Sequence, residues 1–324
     1  MSLGIYLTGA FGQSQELYRV RNEAKRGRGS QDAVDERIKI DTALVLEKQK
    51  EAGVSYLCDP LFREFYLFQP FVEQVRNVSV GSQENWFNNN VFFRRPQISA
   101  SAYRNTCLVT SKSFTGDYHC GESDLAILPS PFTLLMLSDL SGFNDKVEAV
   151  TKLSQILRNE AELLVREGYS RIQYDEPALV YMQSLGSLKQ EHVNLLRQGL
   201  DICGLIHGAT TVLHTYFGDA GPLLSELISL PINGIGIDCT ETRIDDLLKH
   251  LFSDKELVLG LVDARSTALE NPDDLVTALR TVQDHCQPKA LYLTPNTGTE
   301  YCGFTHSLKK LDVLAETKRC YDGQ

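Results

Sequence analysis

Several things are missing from this 324-residue chain, and each absence removes a class of function. No apolar run reaches the roughly 18 residues a membrane-spanning helix needs. The first residues carry no basic stretch followed by a long apolar one, so no signal peptide is expected. The eight cysteines are scattered along the sequence with no CxxC pair. That pattern argues against a disulfide scaffold or a zinc ribbon and fits a reducing cytoplasm. No P-loop, nucleophile elbow or GxGxxG after the first strand is found, which leaves triphosphatase, Ser-hydrolase and dinucleotide readings without a motif. Net positive charge is also lacking. At -10 the chain is poorly suited to general nucleic-acid binding, which draws its affinity from phosphate neutralisation.

What remains is an ordinary globular composition, 42% hydrophobic and 23% charged. Eight short β-rich segments alternate with longer amphipathic ones. The strands are expected at 4–8, 54–58, 125–128, 171–174, 211–214, 234–238, 257–262 and 290–294. Covering helices are expected at 33–52, 145–167, 189–203, 221–230, 244–251 and 273–285, where Leu, Ile and Val recur at helical spacing. This alternation predicts a parallel sheet, and eight repeats predict one (β/α)8 TIM barrel over residues 1–324. The stretch at about 60–120 is irregular, with Asn88, Asn89, Asn90 and an FFRRP run, and reads as helix plus an excursion over the barrel mouth.

Chemistry in such barrels sits at the C-terminal ends of the strands. There the sequence offers Gly9, Asp59, Ser130, Asp175 with Glu176, His214 with Tyr216, Asp238, Arg265 and Asn296. Asp175, Glu176, His214, Asp238 and Arg265 are the candidates for catalysis; Gly9, Asp59, Ser130, Tyr216 and Asn296 are candidates for binding a small polar substrate. Some of these groups could instead cap the following helices. Arg265 is read as inward-facing, a donor fork for a carboxylate or phosphate unless Asp238 or Asp263 pairs with it. His214 and Asp238 are weak metal candidates, because Tyr216 stands where a His-x-Cys zinc pair would need cysteine. Cys239 and Cys302 lie off the inward register and read as free buried cysteines. One basic cluster, Arg19, Arg21, Lys25, Arg26 and Arg28, lies near the start.

Five runs in order, 128–135 (LPSPFTLL), 172–179 (IQYDEPAL), 214–218 (HTYFG), 230–238 (LPINGIGID) and 260–265 (GLVDAR), resemble the cobalamin-independent methionine synthase family. The resemblance spans nearly the whole chain and is poor from Asp59 to Cys120. It implies a barrel that takes part in methyl transfer from a methyl-folate or pterin donor to homocysteine. The family's catalytic barrel presents homocysteine on zinc through His-x-Cys, Glu and a late Cys; these positions fall here on His214, Tyr216, Asp238 and Thr297. The family's catalytic histidine falls on Arg265, and its folate-stacking tryptophan on Leu137. The resemblance is therefore closest to the family's zinc-free N-terminal barrel, standing alone and working with a separate zinc-bearing barrel. The contact segment of that barrel corresponds to Gln15–Tyr18, which makes Glu16, Arg19 and Arg21 binding candidates. Two rivals stay open: an independent enzyme acting on a small anionic substrate, and a non-catalytic interaction protein docking through Asn88 to Pro96.

Overall fold

The structure, a computed structural model, describes residues 1–64, 66–75, 78–87, 89, 91–98, 124–141 and 143–323. Its centre is a curled sheet of seven parallel strands: β1 (Gly4–Ile5), β4 (Leu125–Pro129), β5 (Arg171–Asp175), β6 (Thr210–Thr215), β7 (Gly234–Asp238), β8 (Glu256–Val262) and β9 (Ala290–Pro295). They are ordered β1-β9-β8-β7-β6-β5-β4. Between β1 and β4 in the chain an antiparallel pair, β2 (Val78–Asn85) and β3 (Phe92–Ile98), forms a separate two-stranded sheet. Every residue of β4, β5 and β7 is buried. That is the pattern of parallel strands covered on both faces.

The helices are α1 (Gln15–Lys25), α2 (Gln31–Ala52), α3 (Gln69–Gln74), α4 (Pro131–Met136), α5 (Lys146–Arg166), α6 (Pro177–Ser184), α7 (Gln190–Cys203), α8 (Leu224–Ile228), α9 (Ile244–Leu247), α10 (Pro272–Cys286) and α11 (Phe304–Asp322). Their starts are written locally. Ser14, Ser30, Ser130 and Asp145 each accept a backbone N–H from the first turn that follows. Proline occupies the first turn of α4, α6 and α10, where no N–H is needed. Gly53, at φ 68°, ends α2 in a left-handed cap. Among the described residues no helix is long and apolar enough to cross a membrane.

The expected second strand at 54–58 is the main departure. It lies between β1 and β4, with the Ser55 N–H donating to the Ile5 carbonyl (2.8 Å) and the Leu125 N–H to the Leu57 carbonyl (3.1 Å). Only Cys58 and Leu125 form a bridge, however. Side chains take the groups a ladder would use. Gln49 brackets Cys58, donating to its carbonyl (2.8 Å) and accepting from its N–H (2.9 Å), and Asp124 accepts from the Leu57 N–H (3.1 Å). The regular sheet accordingly has seven strands rather than the eight expected.

The base of the sheet is closed by a buried cation. Arg171, at the start of β5, lies 4.9, 4.7 and 4.5 Å from the ring centres of Tyr6, Tyr56 and Tyr292. It also pairs with Glu256 at 2.8 Å. A desolvated guanidinium among aromatic faces and a carboxylate is well compensated, and the residue is fully buried.

Candidate functional site

At the opposite end, where the strands finish, a cavity of about 200 Å3 opens. The loop after β1 supplies Thr8, Gly9 and Phe11; the segment before α3 supplies Phe62, Glu64 and Tyr66. Asp175 ends β5 and Tyr216 follows β6. Thr297, Glu300 and Tyr301 come from the turn after β9, and Trp86 and Val91 from the β2–β3 hairpin. No described lining residue is Lys, Arg or His.

Asp175 is the most constrained of these groups. Gln173 Nε2 donates to its Oδ1 (2.8 Å) and the Tyr216 hydroxyl to its Oδ2 (3.2 Å). Gln173 is held in turn on the Thr8 carbonyl (3.1 Å). Burial opposes the charged form more strongly than these bonds favour it, and the Asp175 carboxyl is pushed up to about 8. The Glu300 carboxyl is raised to about 7, chiefly by desolvation and against a hydrogen bond from Tyr301, although the residue as a whole is exposed. Glu64 is raised as well, chiefly by burial, and its Oε1 has no hydrogen-bond partner among the described residues. The cavity thus offers two carboxyls that burial keeps protonated, Asp175 and Glu64, and phenols between aromatic walls.

The structure brings Gly9, Asp175 and Tyr216 together at this cavity and puts the other candidates elsewhere. Adjacent residues at a strand end face opposite sides, so Glu176 turns away from Asp175 into the helix layer. There it accepts from the Ser130 hydroxyl, from Thr133 N (3.2 Å) and Oγ1 (2.9 Å), and from Leu179 N (2.8 Å). Glu176 and Ser130 are a knot between α4 and α6. Asp59 and Asp263 each fold over a backbone N–H two residues on, at Leu61 (2.7 Å) and Arg265 (2.9 Å).

His214 is fully buried beside the cavity, its Nε2–H donating to the Asn296 carbonyl at 2.9 Å. Its Nδ1 has no partner among the described residues, and burial lowers its pKa to about 4. Gly236 is required next to it, because a Cβ there would stand 2.2 Å from Nδ1. Asn296 and Asp238 belong to one network. Asn296 Nδ2 donates to both Asp238 oxygens (3.2 Å each), and Thr240 adds bonds from its N–H (2.9 Å) and hydroxyl (2.6 Å).

Arg265 does not face inward. It crosses the rim to Glu241 (2.8 Å) and the Thr240 hydroxyl (3.1 Å), 3.7 Å from Asp263 and over the Phe217 ring. A small anion in the cavity would meet acids and no cation among the described residues. On α1, Glu16 and Arg19 pair with each other on the exposed face, with Arg19 also on Glu23 (2.7 Å), while Arg21 is buried and donates to the Phe62 carbonyl.

The residues at the zinc positions do not fit the metal. His214 Nε2 is held by a carbonyl and Nδ1 abuts Gly236; Asp238 is saturated by Asn296 and Thr240; Tyr216 binds Asp175. Cys302 Sγ lies 2.7 Å from the Ala264 carbonyl, and Cys239 keeps to Ile237 (3.6 Å). Among the described residues no group of three or more His, Cys, Asp or Glu is placed to hold a metal. Cys107, Cys120, Asn88 and Asn90 lie outside the described residues.

Sequence reasoning missed Phe11, Phe62, Glu64, Trp86, Glu300 and Tyr301. Two of them left a trace: Trp86 is the only tryptophan in the chain, and Glu300 follows the marked strand end at Asn296 by four residues.

The sequence model of the cobalamin-independent synthase family, N-terminal domain, matches residues 76–287. A methionine synthase of Thermococcus kodakarensis is 23% identical over 297 residues, covering 90% of this chain and 85% of that protein. One from Saccharolobus solfataricus is 24% identical over the same share of this chain and 86% of its own. Among solved structures, a B12-independent methionine synthase from Shewanella sp. W3-18-1, in complex with selenomethionine, superposes with a TM-score of 0.71. It is 17% identical, with 91% of each chain covered, and supports the fold alone.

Proposed function

The chain belongs to the cobalamin-independent methionine synthase family, matching its N-terminal domain, and on that premise we propose that it takes part in methyl transfer from a methyl-folate or pterin donor to homocysteine. The methyl-bearing head of the donor occupies the strand-end cavity. One observation carries this reading: a carboxyl that burial keeps protonated at neutral pH, Asp175, is oriented by Tyr216 and Gln173 against an aromatic-walled space. When a methyl group leaves nitrogen for a thiolate, the C–N bonding pair stays on nitrogen, and a proton must follow it. Asp175 donates that proton as general acid. Tyr216 and Gln173 then stabilise the carboxylate left behind.

The acceptor thiol also has to be deprotonated. The described residues place no metal cluster to do so, and a separate zinc-bearing barrel is proposed as the partner that activates homocysteine, in the cytoplasm. In this reading the 54–58 segment is the eighth stave of a closed (β/α)8 barrel, and residues 1–324 act as one domain with the hairpin over its mouth.

Calorimetry with methyl-tetrahydrofolate and a methyl-transfer assay with homocysteine, with and without a zinc-bearing methionine synthase barrel, test the proposal. Binding of the donor by this chain and transfer only with the partner are expected. Asp175→Asn is expected to lower the rate on the order of a hundredfold, the usual size of a general-acid effect, while changing donor affinity far less. Absence of donor binding overturns the reading.

A further inference from the structure

The hairpin that supplies Trp86 and Val91 to the cavity wall belongs to a unit of its own. Among the described residues β2 and β3 pair with each other and with no strand of the seven-stranded sheet, and α3 packs on β2. Between them lies a small aromatic core. Phe68, just ahead of α3, meets Trp86 and Phe93 edge-on, each at 5.7 Å between ring centres. A two-stranded ribbon is marginal by itself; this core lets α3 and the hairpin hold together as one body.

Two kinds of tie join that body to the barrel. At the open end of the hairpin they are hydrogen bonds: the Ile98 N–H donates to the Asp139 carbonyl (2.9 Å), the Asp139 N–H to the Pro96 carbonyl (2.7 Å), and Arg95 to the Ser138 carbonyl (3.2 Å). At the tip they are ring contacts. Phe87 lies 5.1 Å from Tyr181 of α6 and 6.2 Å from Phe217, which follows β6. The backbone bonds of the tip, Trp86 N–H to the Val91 carbonyl (2.8 Å) and Asn89 N–H to the Trp86 carbonyl (2.9 Å), stay within the hairpin.

Both phenylalanines have a positive φ, 47° at Phe87 and 68° at Phe217. Left-handed backbone is sparsely populated for bulky residues and persists only where the surroundings hold it. Parting the two sides gives up aromatic contact and frees two strained residues at once. These effects oppose each other, which brings the open and closed positions close in free energy. Bonds that can turn at one end and separable ring contacts at the other are the parts of a hinged closure.

We propose that α3 and the hairpin form a lid that swings as one body about the Pro96 and Asp139 bonds, latched by Phe87 against Tyr181 and Phe217, and that opening the latch governs entry to the strand-end cavity. The lid acts whatever ligand the cavity takes, so it stands apart from the methyl-donor reading.

Trp86 is the only tryptophan in the chain and is buried, with Phe68 on one side and the cavity on another. Its fluorescence therefore reports the lid without any ligand. The test is acrylamide quenching of Trp86 in the 324-residue chain, beside backbone amide exchange over β2 and β3. Tyr181 lies outside the cavity lining. Tyr181→Ala is expected to raise the quenching constant on the order of threefold, as a minor open state becomes a major one. Tyr181→Phe, which keeps the ring, is expected to leave it at the wild-type value, with hairpin exchange unchanged in both. Phe217→Leu is expected to match Tyr181→Ala and decides the question if an unfolding midpoint shows that Tyr181→Ala does not fold. Unchanged quenching on loss of the ring contact overturns the lid. A rise accompanied by faster exchange across β2 and β3 overturns it too, because the ribbon then frays instead of swinging. Failure of methyl-tetrahydrofolate to bind overturns the donor reading and leaves the lid standing.

Discussion

Burial shifts two residues at the strand ends in opposite senses, and each shift links folding to pH. Asp175 is raised from 3.8 to about 8, chiefly by desolvation, with Tyr216 and Gln173 opposing and Glu300 and Glu176 adding to the rise. The folded state then holds a proton that the unfolded chain has released, and stability falls as pH climbs from about 4 to about 8. His214 is lowered from 6.5 to about 4, so its contribution is present above 6.5 and is lost as pH falls below that. Below 6.5 the two effects cancel in part; above it the carboxyls act without the imidazole. The unfolding midpoint is therefore expected to fall between pH 6.5 and 8, and Asp175→Asn to flatten that decline. An equal slope in wild type and variant would refute the assignment. The sequence offered Asp175 and Glu176 as a catalytic pair, and the structure parts them, with Asp175 at the cavity and Glu176 in the helix layer. What the sequence did not reveal was their separation, which depends on where the strand ends and on Ser130 and Thr133, some 40 residues earlier.

At the scale of elements, Glu176 is a structural clasp. One carboxylate accepts from the first turns of both α4 and α6. Gln in its place keeps a single acceptor oxygen and sets an amide against donors. Glu176→Gln is expected to cost about 1–3 kcal/mol in denaturant unfolding, the penalty of unsatisfied buried donors, while folded protein binds the donor head as before. A large loss of affinity without loss of stability would instead place Glu176 at the site. Six of the strands could be read nearly to their ends, because each is a continuous β-rich run closed by a polar residue. The 54–58 segment has the same local pattern, but Gln49 and Asp124 occupy the backbone groups a ladder needs. The hairpin, with Trp86 in the wall, was legible only as an excursion. Its pairing joins residues whose periodicity is broken by a register shift between Val80 and Gln83.

At the scale of the whole molecule, a zinc ion at the candidate positions would have to displace partners already in place. His214, Asp238, Cys239 and Cys302 are each engaged by neighbouring protein groups. Titration of the 324-residue chain with zinc is expected to show no stoichiometric uptake, and EDTA to leave the unfolding midpoint unchanged. One tightly held zinc per chain would contradict this and direct substitution first to Cys107 and Cys120. The alternation of strands and helices was readable because it is a local property; the seven-strand count of the regular sheet was not, and neither was the cavity lining, which is assembled from the loop after β1, the hairpin and the turn after β9. The Arg171 stack has a consequence for traffic. With a guanidinium packed between three tyrosine rings at the base, a molecule taken up at the mouth is expected to leave by the same doorway, and on the proposed function spent donor and fresh donor would then exclude each other.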